Sequence, residues 1–308
     1  MKKYNHLFGP IPSRRMGLSI GVSPIPPKYC NYSCVYCQLG RTTKMSNTKE
    51  IFFETNIILK EFKEYLKENI NFDVVTIVGE GEPTLYKNIK ELILGLKQLT
   101  QKPVAVITNG SSLHEEEVRN SLLDADIVLP SLDAYDEESF RKIDRPYKKI
   151  KFDEIYNGLI DFSKVYKGQL WIETMIIKDM NDDKESLLKL KEILTPIDYD
   201  RLYINTPVRP PAEGWVEMAT EEAIKRAVDV LGGVSIDMLA TKGFFSEEED
   251  DYEAVLSIIK RHPMNQYEIE SFLGSRNCKN TKEIFEKFKD DQKIFIVNYK
   301  GYNTYRCE

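Results

Sequence analysis

The chain has 308 residues, 42% hydrophobic and 30% charged, enough for one large domain with a sizeable core and a second, small one. Its net charge of −6 argues against a broad phosphate-binding surface and leaves room for a local basic patch; five cysteines in a chain of this length exclude a small disulfide-stapled scaffold. No apolar run is long enough to span a bilayer and Met1-Lys2-Lys3-Tyr4 opens no targeting segment, so no membrane partner is expected and the location reads as cytoplasmic and reducing.

In chain order, the run Phe8-Gly9-Pro10-Ile11-Pro12-Ser13-Arg14-Arg15-Met16-Gly17 precedes a first strand at Leu18–Val22. β-Branched runs at Val74–Gly79, Val104–Thr108, Ile127–Leu132, Leu170–Ile177 and Leu202–Asn205 predict five further strands. Amphipathic stretches near Thr55–Glu68, Tyr86–Leu99, Glu115–Leu123, Phe152–Tyr166 and Asp183–Leu194 predict the helices between them. Six such units make an α/β protein built on a partial (β/α)6 barrel over residues 1–245. A complete eight-fold barrel is the alternative, with Val234–Leu239 as a further strand.

Residues 246–251, holding the run Glu247-Glu248-Glu249-Asp250-Asp251, read as a solvated acidic linker or as the exposed start of the next helix. Beyond it Tyr252–Arg261, Asn265–Leu273 and Asn280–Lys289 predict three helices, the last two opened by capping boxes Asn265/Glu268 and Asn280/Glu283. Lys293–Tyr299 and Tyr302–Cys307 then alternate around Lys300-Gly301 as a hairpin. That order makes residues 252–308 a winged-helix-like recognition domain. Its third helix balances Lys282, Lys287 and Lys289 against Glu283, Glu286 and Asp290, so duplex DNA is not the expected partner; RNA or a peptide is.

The chemistry begins at Cys30-Asn31-Tyr32-Ser33-Cys34-Val35-Tyr36-Cys37, where three cysteines fall within eight residues. Such a triplet supplies three thiolates to a cube of four irons and leaves one iron open. A structural zinc site needs a fourth ligand at local spacing, whereas Cys278 and Cys307 stand singly and far away and read as ordinary thiols. The barrel's strand ends bring further polar segments to one face: Gly79-Glu80-Gly81-Glu82-Pro83-Thr84, Thr108-Asn109-Gly110-Ser111-Ser112, Ser131-Leu132-Asp133-Ala134, Glu173-Thr174 and Asn205-Thr206-Pro207-Val208-Arg209. Arg14, Arg15 and Arg209 are planar donors suited to clamp a carboxylate or phosphate, or to bridge loops as ion pairs.

The triplet, with Tyr36 before its last cysteine, resembles the signature of the radical S-adenosylmethionine (SAM) superfamily. The resemblance covers roughly Phe8 to Trp215 and looks like a group of SAM-radical Fe–S oxidoreductases distantly akin to the wyosine-forming tRNA enzymes. It implies that Cys30, Cys34 and Cys37 hold a [4Fe-4S] cluster, that SAM binds the open iron, and that one electron cleaves it to methionine and a 5′-deoxyadenosyl radical. It implies SAM contacts at Tyr36 (adenine), at Gly81, Glu82 and Pro83 (ammonium), and at Asn109, Ser131 and Asp133 (ribose or carboxylate). Glu80 stands where the family's motif has a glycine. The resemblance also implies a flavodoxin or ferredoxin as reductant and an oxygen-free setting. Arg14, Arg15, Glu173, Asn205 and Arg209 are the candidates for substrate chemistry, with a lean toward RNA modification over a peptide or small metabolite. A non-enzymatic electron carrier or regulator is the rival class.

Overall fold

The computed structural model describes residues 4–236, 244, 246, 248–299 and 302–307. Its main sheet opens with a hairpin in which β1 (Leu7–Ser13) runs antiparallel to β2 (Gly17–Val22). The sequence pattern left β1 unassigned because Pro10 and Pro12 interrupt it. As an edge strand β1 tolerates both, since one side of its backbone needs no ladder partner. A two-residue parallel pair, β3 (Tyr29–Cys30) with β4 (Lys44–Met45), then ties off the cysteine loop.

The barrel strands follow as β5 (Val74–Ile77), β6 (Val104–Thr108), β7 (Ile127–Pro130), β8 (Gln169–Met175), β9 (Arg201–Asn205) and the short β10 (Val234–Ser235). From β2 onward each runs parallel to the next, in the order β1-β2-β5-β6-β7-β8-β9-β10. The two ends of the order do not pair among the described residues, so the sheet is a partial barrel. Residues 237–239 of the further strand expected at Val234–Leu239 lie outside the described residues.

Between the strands lie α1 (Thr55–Tyr65), α2 (Ile89–Leu99), α3 (Glu116–Leu122), α4 (Glu137–Ile143), α5 (Phe152–Val165), α6 (Lys184–Leu194) and α7 (Glu221–Leu231). Neighbouring strand residues point to opposite faces. Thus Val75, Val104, Val128 and Ile172 pack under the helices, with Phe62, Leu92, Leu159 and Leu190 from the helical side. Val74, Ala105, Leu129, Trp171 and Tyr203 form a smaller inner cluster. Burying each large aliphatic side chain contributes about 1.5–3 kcal/mol, which is what holds the strand ends in register for the site above them.

The C-terminal region comprises α8 (Asp251–Ile259), β11 (Met264–Asn265), α9 (Gln266–Ser275), α10 (Thr281–Asp290), β12 (Ile294–Tyr299) and β13 (Tyr302–Cys307), its strands ordered β11-β13-β12 and antiparallel. Three helices and a terminal strand pair occur as expected, while the turn at Lys300-Gly301 lies outside the described residues. The capping box at Asn265/Glu268 is formed. The one expected at Asn280/Glu283 is not: Asn280 makes no cap to the α10 backbone, and its amide instead donates to the Glu283 carboxylate at 3.3 Å.

Two findings bear on the region between the barrel and the module. Residues 246 and 248–251 are held to the module, because the Arg276 guanidinium donates to the carbonyls of Ser246 (2.8 Å), Glu248 and Glu249 and to the Asp251 carboxylate (2.8 Å). Asp250 caps α8, so the acidic run does open a helix. Ile11 of β1 also belongs to the core of Ile259, Ile269, Phe272 and Phe288, so the small module shares its interior with the barrel's first hairpin. Hydrogen bonds to a charged group contribute about 1.5–3 kcal/mol each. Arg276→Ala is therefore expected to make residues 246–251 the first site of limited proteolysis, with the barrel fragment left intact.

Candidate active site

The cysteine loop leaves β2 and is pinned from two sides. On one side the carbonyl of Tyr29 accepts the Glu82 N–H (3.2 Å), and Lys28 N–H donates to the Glu80 carbonyl (2.5 Å). Gly81 permits this approach: a Cβ there would fall inside the Tyr29 carbonyl. On the other side Ser33, Val35 and Tyr147 N–H donate to the carbonyls of Asp144, Ile143 and Asn31, at 3.0, 2.9 and 2.7 Å, so the turn after α4 straps the loop.

Cys30, Cys34 and Cys37 line one cavity of about 320 Å³ above the strand ends. Tyr36, Gly81, Glu82, Asn109 and Ser131 line it too, as expected. Arg15, Glu173, Asn205 and Arg209 meet on its far wall, where Arg15 pairs with Glu173 and the Asn205 amide donates to Glu173 at 3.3 Å. Burial lowers the Arg15 pKa to about 10, with its ion pair to Glu173 as the local compensation.

Two expected SAM contacts, Pro83 and Asp133, do not line this cavity. Pro83 is buried in a short 3-10 turn (Pro83–Leu85) and does not reach the cavity. Asp133 is also buried behind the wall, where it accepts from the Tyr36 hydroxyl and from Met175 N–H (2.7 Å); it orients Tyr36, and burial lifts its pKa to about 6. Glu82 borders the cavity yet already accepts from Thr84 N–H (2.9 Å), the Thr84 hydroxyl (2.6 Å), the Thr108 hydroxyl (2.6 Å) and Asn109 N–H (2.7 Å). Oε1 takes three of these bonds and Oε2 only the Asn109 N–H, so Glu82 clamps two strand ends while Oε2 keeps an acceptor site. Asn109 donates to Asn31 Oδ1 at 2.8 Å and accepts from Ser111 N–H at 2.9 Å, which fixes it against the loop. Arg14 lines an adjoining cavity instead of this one.

The donor set was tested against the groups it could hold. Among the described residues no three Cys, His, Asp or Glu side chains converge on a position for one metal ion. The three thiols nevertheless face one cavity, as a cube requires, since each of its irons takes its own thiolate. Burial pushes all three thiols above their ordinary pKa; Glu82 adds to this at Cys30, and Asp144 with the other two cysteines adds to it at Cys34. A polycationic cluster would offset that cost, and three thiols converging on one cavity fit a [4Fe-4S] cluster.

A model of the radical SAM superfamily matches residues 25–190. The chain belongs to the radical SAM superfamily. It is therefore a radical SAM enzyme, with a [4Fe-4S] cluster and SAM as its cofactors. A UPF0026 protein of Methanocaldococcus jannaschii is 35% identical over 96% of this chain and 93% of its own length. A protein of Brachyspira hyodysenteriae named GTPase Obg is 43% identical over 73% of this chain, which spans a third (33%) of that longer protein. Among solved structures, TYW1 with a lysine-pyruvate adduct bound superposes with a TM-score of 0.53 at 24% identity, covering 69% of this chain and 72% of that one, and supports the fold.

Several radical SAM site residues carried no sequence signal. Asn31 sits inside the motif but is recognisable only from its bonds to Asn109 and to Ser111 Oγ (2.7 Å). Glu213 holds the loop's exit by accepting from Arg41 (2.7 and 2.9 Å) and Arg145 (2.5 Å), which keep its carboxyl below the usual range. Arg261, His262 and Glu268 arrive from the C-terminal module and are treated below. Cys278 and Cys307 pack against that module's core.

Two outcomes follow for reconstituted protein. Gly81→Ala is expected to push the Tyr29 carbonyl away and lower bound iron toward that of the Cys30/Cys34/Cys37→Ala triple variant, measured by iron analysis. Cys278→Ala/Cys307→Ala is expected to retain about four irons per chain.

Proposed function

We propose that this enzyme cleaves SAM reductively and directs the resulting 5′-deoxyadenosyl radical at a C–H bond of a substrate held beside the cysteine cavity. The observation that carries the reading is the single cavity shared by Cys30, Cys34, Cys37, Tyr36 and the Gly81–Glu82 loop. The cluster, when bound, supplies the electron that breaks the S–C5′ bond of SAM. The protein holds, orients and excludes water. Glu82 and Asn109 fix the backbone around the methionine end, Tyr36, oriented by Asp133, forms the wall expected to meet the adenine, and the C-terminal module shields the mouth. The one-electron donor is proposed to be an external flavodoxin or ferredoxin.

For the substrate, two ion pairs favour a compact molecule or one residue of a larger one. Arg209 of the barrel binds Glu268 of α9, and Arg261, following α8, binds Glu80 of the barrel at 3.2 Å, so the module is latched over the opening. RNA modification, the reading from kinship, draws no support from α10, where Lys287 and Lys289 are paired with Glu283 and Glu286 in their own helix. The electron-carrier rival does not explain an open coordination position beside a ligand-sized cavity.

Anaerobic protein with dithionite and SAM is expected to release 5′-deoxyadenosine and methionine. The rate should rise with a small-molecule cell extract and not with purified RNA. Stimulation by RNA alone would reverse the substrate reading, and no 5′-deoxyadenosine under any condition would remove the reductive-cleavage reading.

A further inference from the structure

We propose that a second cavity, enclosed by the β1–β2 hairpin, the barrel mouth and the C-terminal module, is the substrate pocket and that it grips a carboxylate or phosphate group of a compact substrate. This rests on the reading of the chain as acting on a substrate beside SAM. The cavity holds about 280 Å³ and shares Arg15, Val78, Asn205 and Arg209 with the cysteine cavity, so a bound molecule lies against the SAM site.

Its lining is rich in guanidinium groups, three of them already paired with a carboxylate. Four guanidinium groups line it, Arg14 and Arg15 from the hairpin, Arg209 from the segment after β9 and Arg261 from the turn after α8, against the carboxylates of Glu80 and Glu268. Glu173 faces Arg15 from the cysteine side. Each guanidinium has five N–H donors. Arg209 contacts Glu268 at 2.5 and 2.9 Å and His262 Nε2 at 2.9 Å. Arg261 donates to Glu80 at 3.2 Å and to the Asn5 carbonyl at 3.0 Å, with its guanidinium carbon 5.1 Å from the centre of the Phe8 ring. These partners hold the guanidinium planes in place and use only part of their donor capacity. A carboxylate or phosphate supplies the bidentate acceptors that planar forks match best.

His262 reports the same field. Arg209 can only donate, so Nε2 of His262 accepts and the ring's proton sits on Nδ1. Burial, then Arg209, Arg14 and Arg15, hold this imidazole well below its ordinary pKa. It is therefore neutral at pH 7 and does not add to the positive charge. Because Arg261, His262 and Glu268 all come from the module, the pocket is complete only with the module docked.

The test is calorimetric titration of full-length, reconstituted protein in chloride buffer with inorganic phosphate and, separately, with succinate. Saturable binding of one equivalent of either anion is expected. Loss of one charge-assisted contact corresponds to about tenfold in affinity, so Arg14→Gln and Arg261→Gln should each weaken it at least that much, with iron content and circular dichroism unchanged. Arg226→Gln, on α7 and outside the cavity, should leave it unaltered. Binding should persist with saturating SAM. Absence of saturable heat with both anions, or binding that survives both variants, would overturn the proposal; loss of binding on SAM addition would overturn it too, by showing that the arginines serve the carboxylate of SAM. The titration needs no electron transfer, so its failure would leave the SAM-cleavage reading to stand or fall on its own assay.

Discussion

The buried carboxylate of Glu82 is the constraint on which the site's geometry depends. An ionised carboxylate removed from water is tolerated only when it is hydrogen-bonded, and here four donors bind it, from Thr84, Thr108 and Asn109. Those donors come from the loops after two adjacent strands, so a single charge sews the ends of β5 and β6 together. The N–H of Glu82 in turn reaches the Tyr29 carbonyl, next to the first cysteine. The cysteine loop is placed by backbone contacts to this stitched edge, and Gly81 is required because the two backbones come too close for a side chain.

What was legible in the sequence is what is local. Three cysteines in eight residues declare their chemistry without any fold, and six of the seven described parallel strands carry enough β-branched residues to be read from pattern alone. Long-range roles were not legible. Glu82 sits in a motif that suggests a ligand contact, and only its bond to Thr108, 26 residues away, shows that it also ties two strand ends together. Asp133 and Pro83 likewise have the right neighbours in sequence and the wrong depth in space. α7 was not among the expected helices, although Ala223, Ala227 and Leu231 with Ile224 and Val228 form an apolar stripe that packs on the core. β1 escaped because its prolines are excluded from inner strands and acceptable at an edge.

The C-terminal module changes meaning once placed. The sequence reads as a recognition domain behind an acidic linker; in the fold its core includes Ile11 of β1, and Arg276 binds the Ser246 carbonyl ahead of α8. Its contacts with the barrel are reciprocal, one Arg–Glu pair running each way. Net charge hid this as well: a chain at −6 overall gathers four arginines around one small cavity. Averages over a chain describe solubility and give little account of a site.

The central claim is that three thiolates leave one iron open and that the cavity around it receives SAM. The most direct measurement is the electron-paramagnetic-resonance spectrum of the reduced, reconstituted full-length protein with and without SAM. The account predicts a shifted spectrum on SAM addition. A spectrum unchanged at saturating SAM would contradict it and make the cluster an electron carrier.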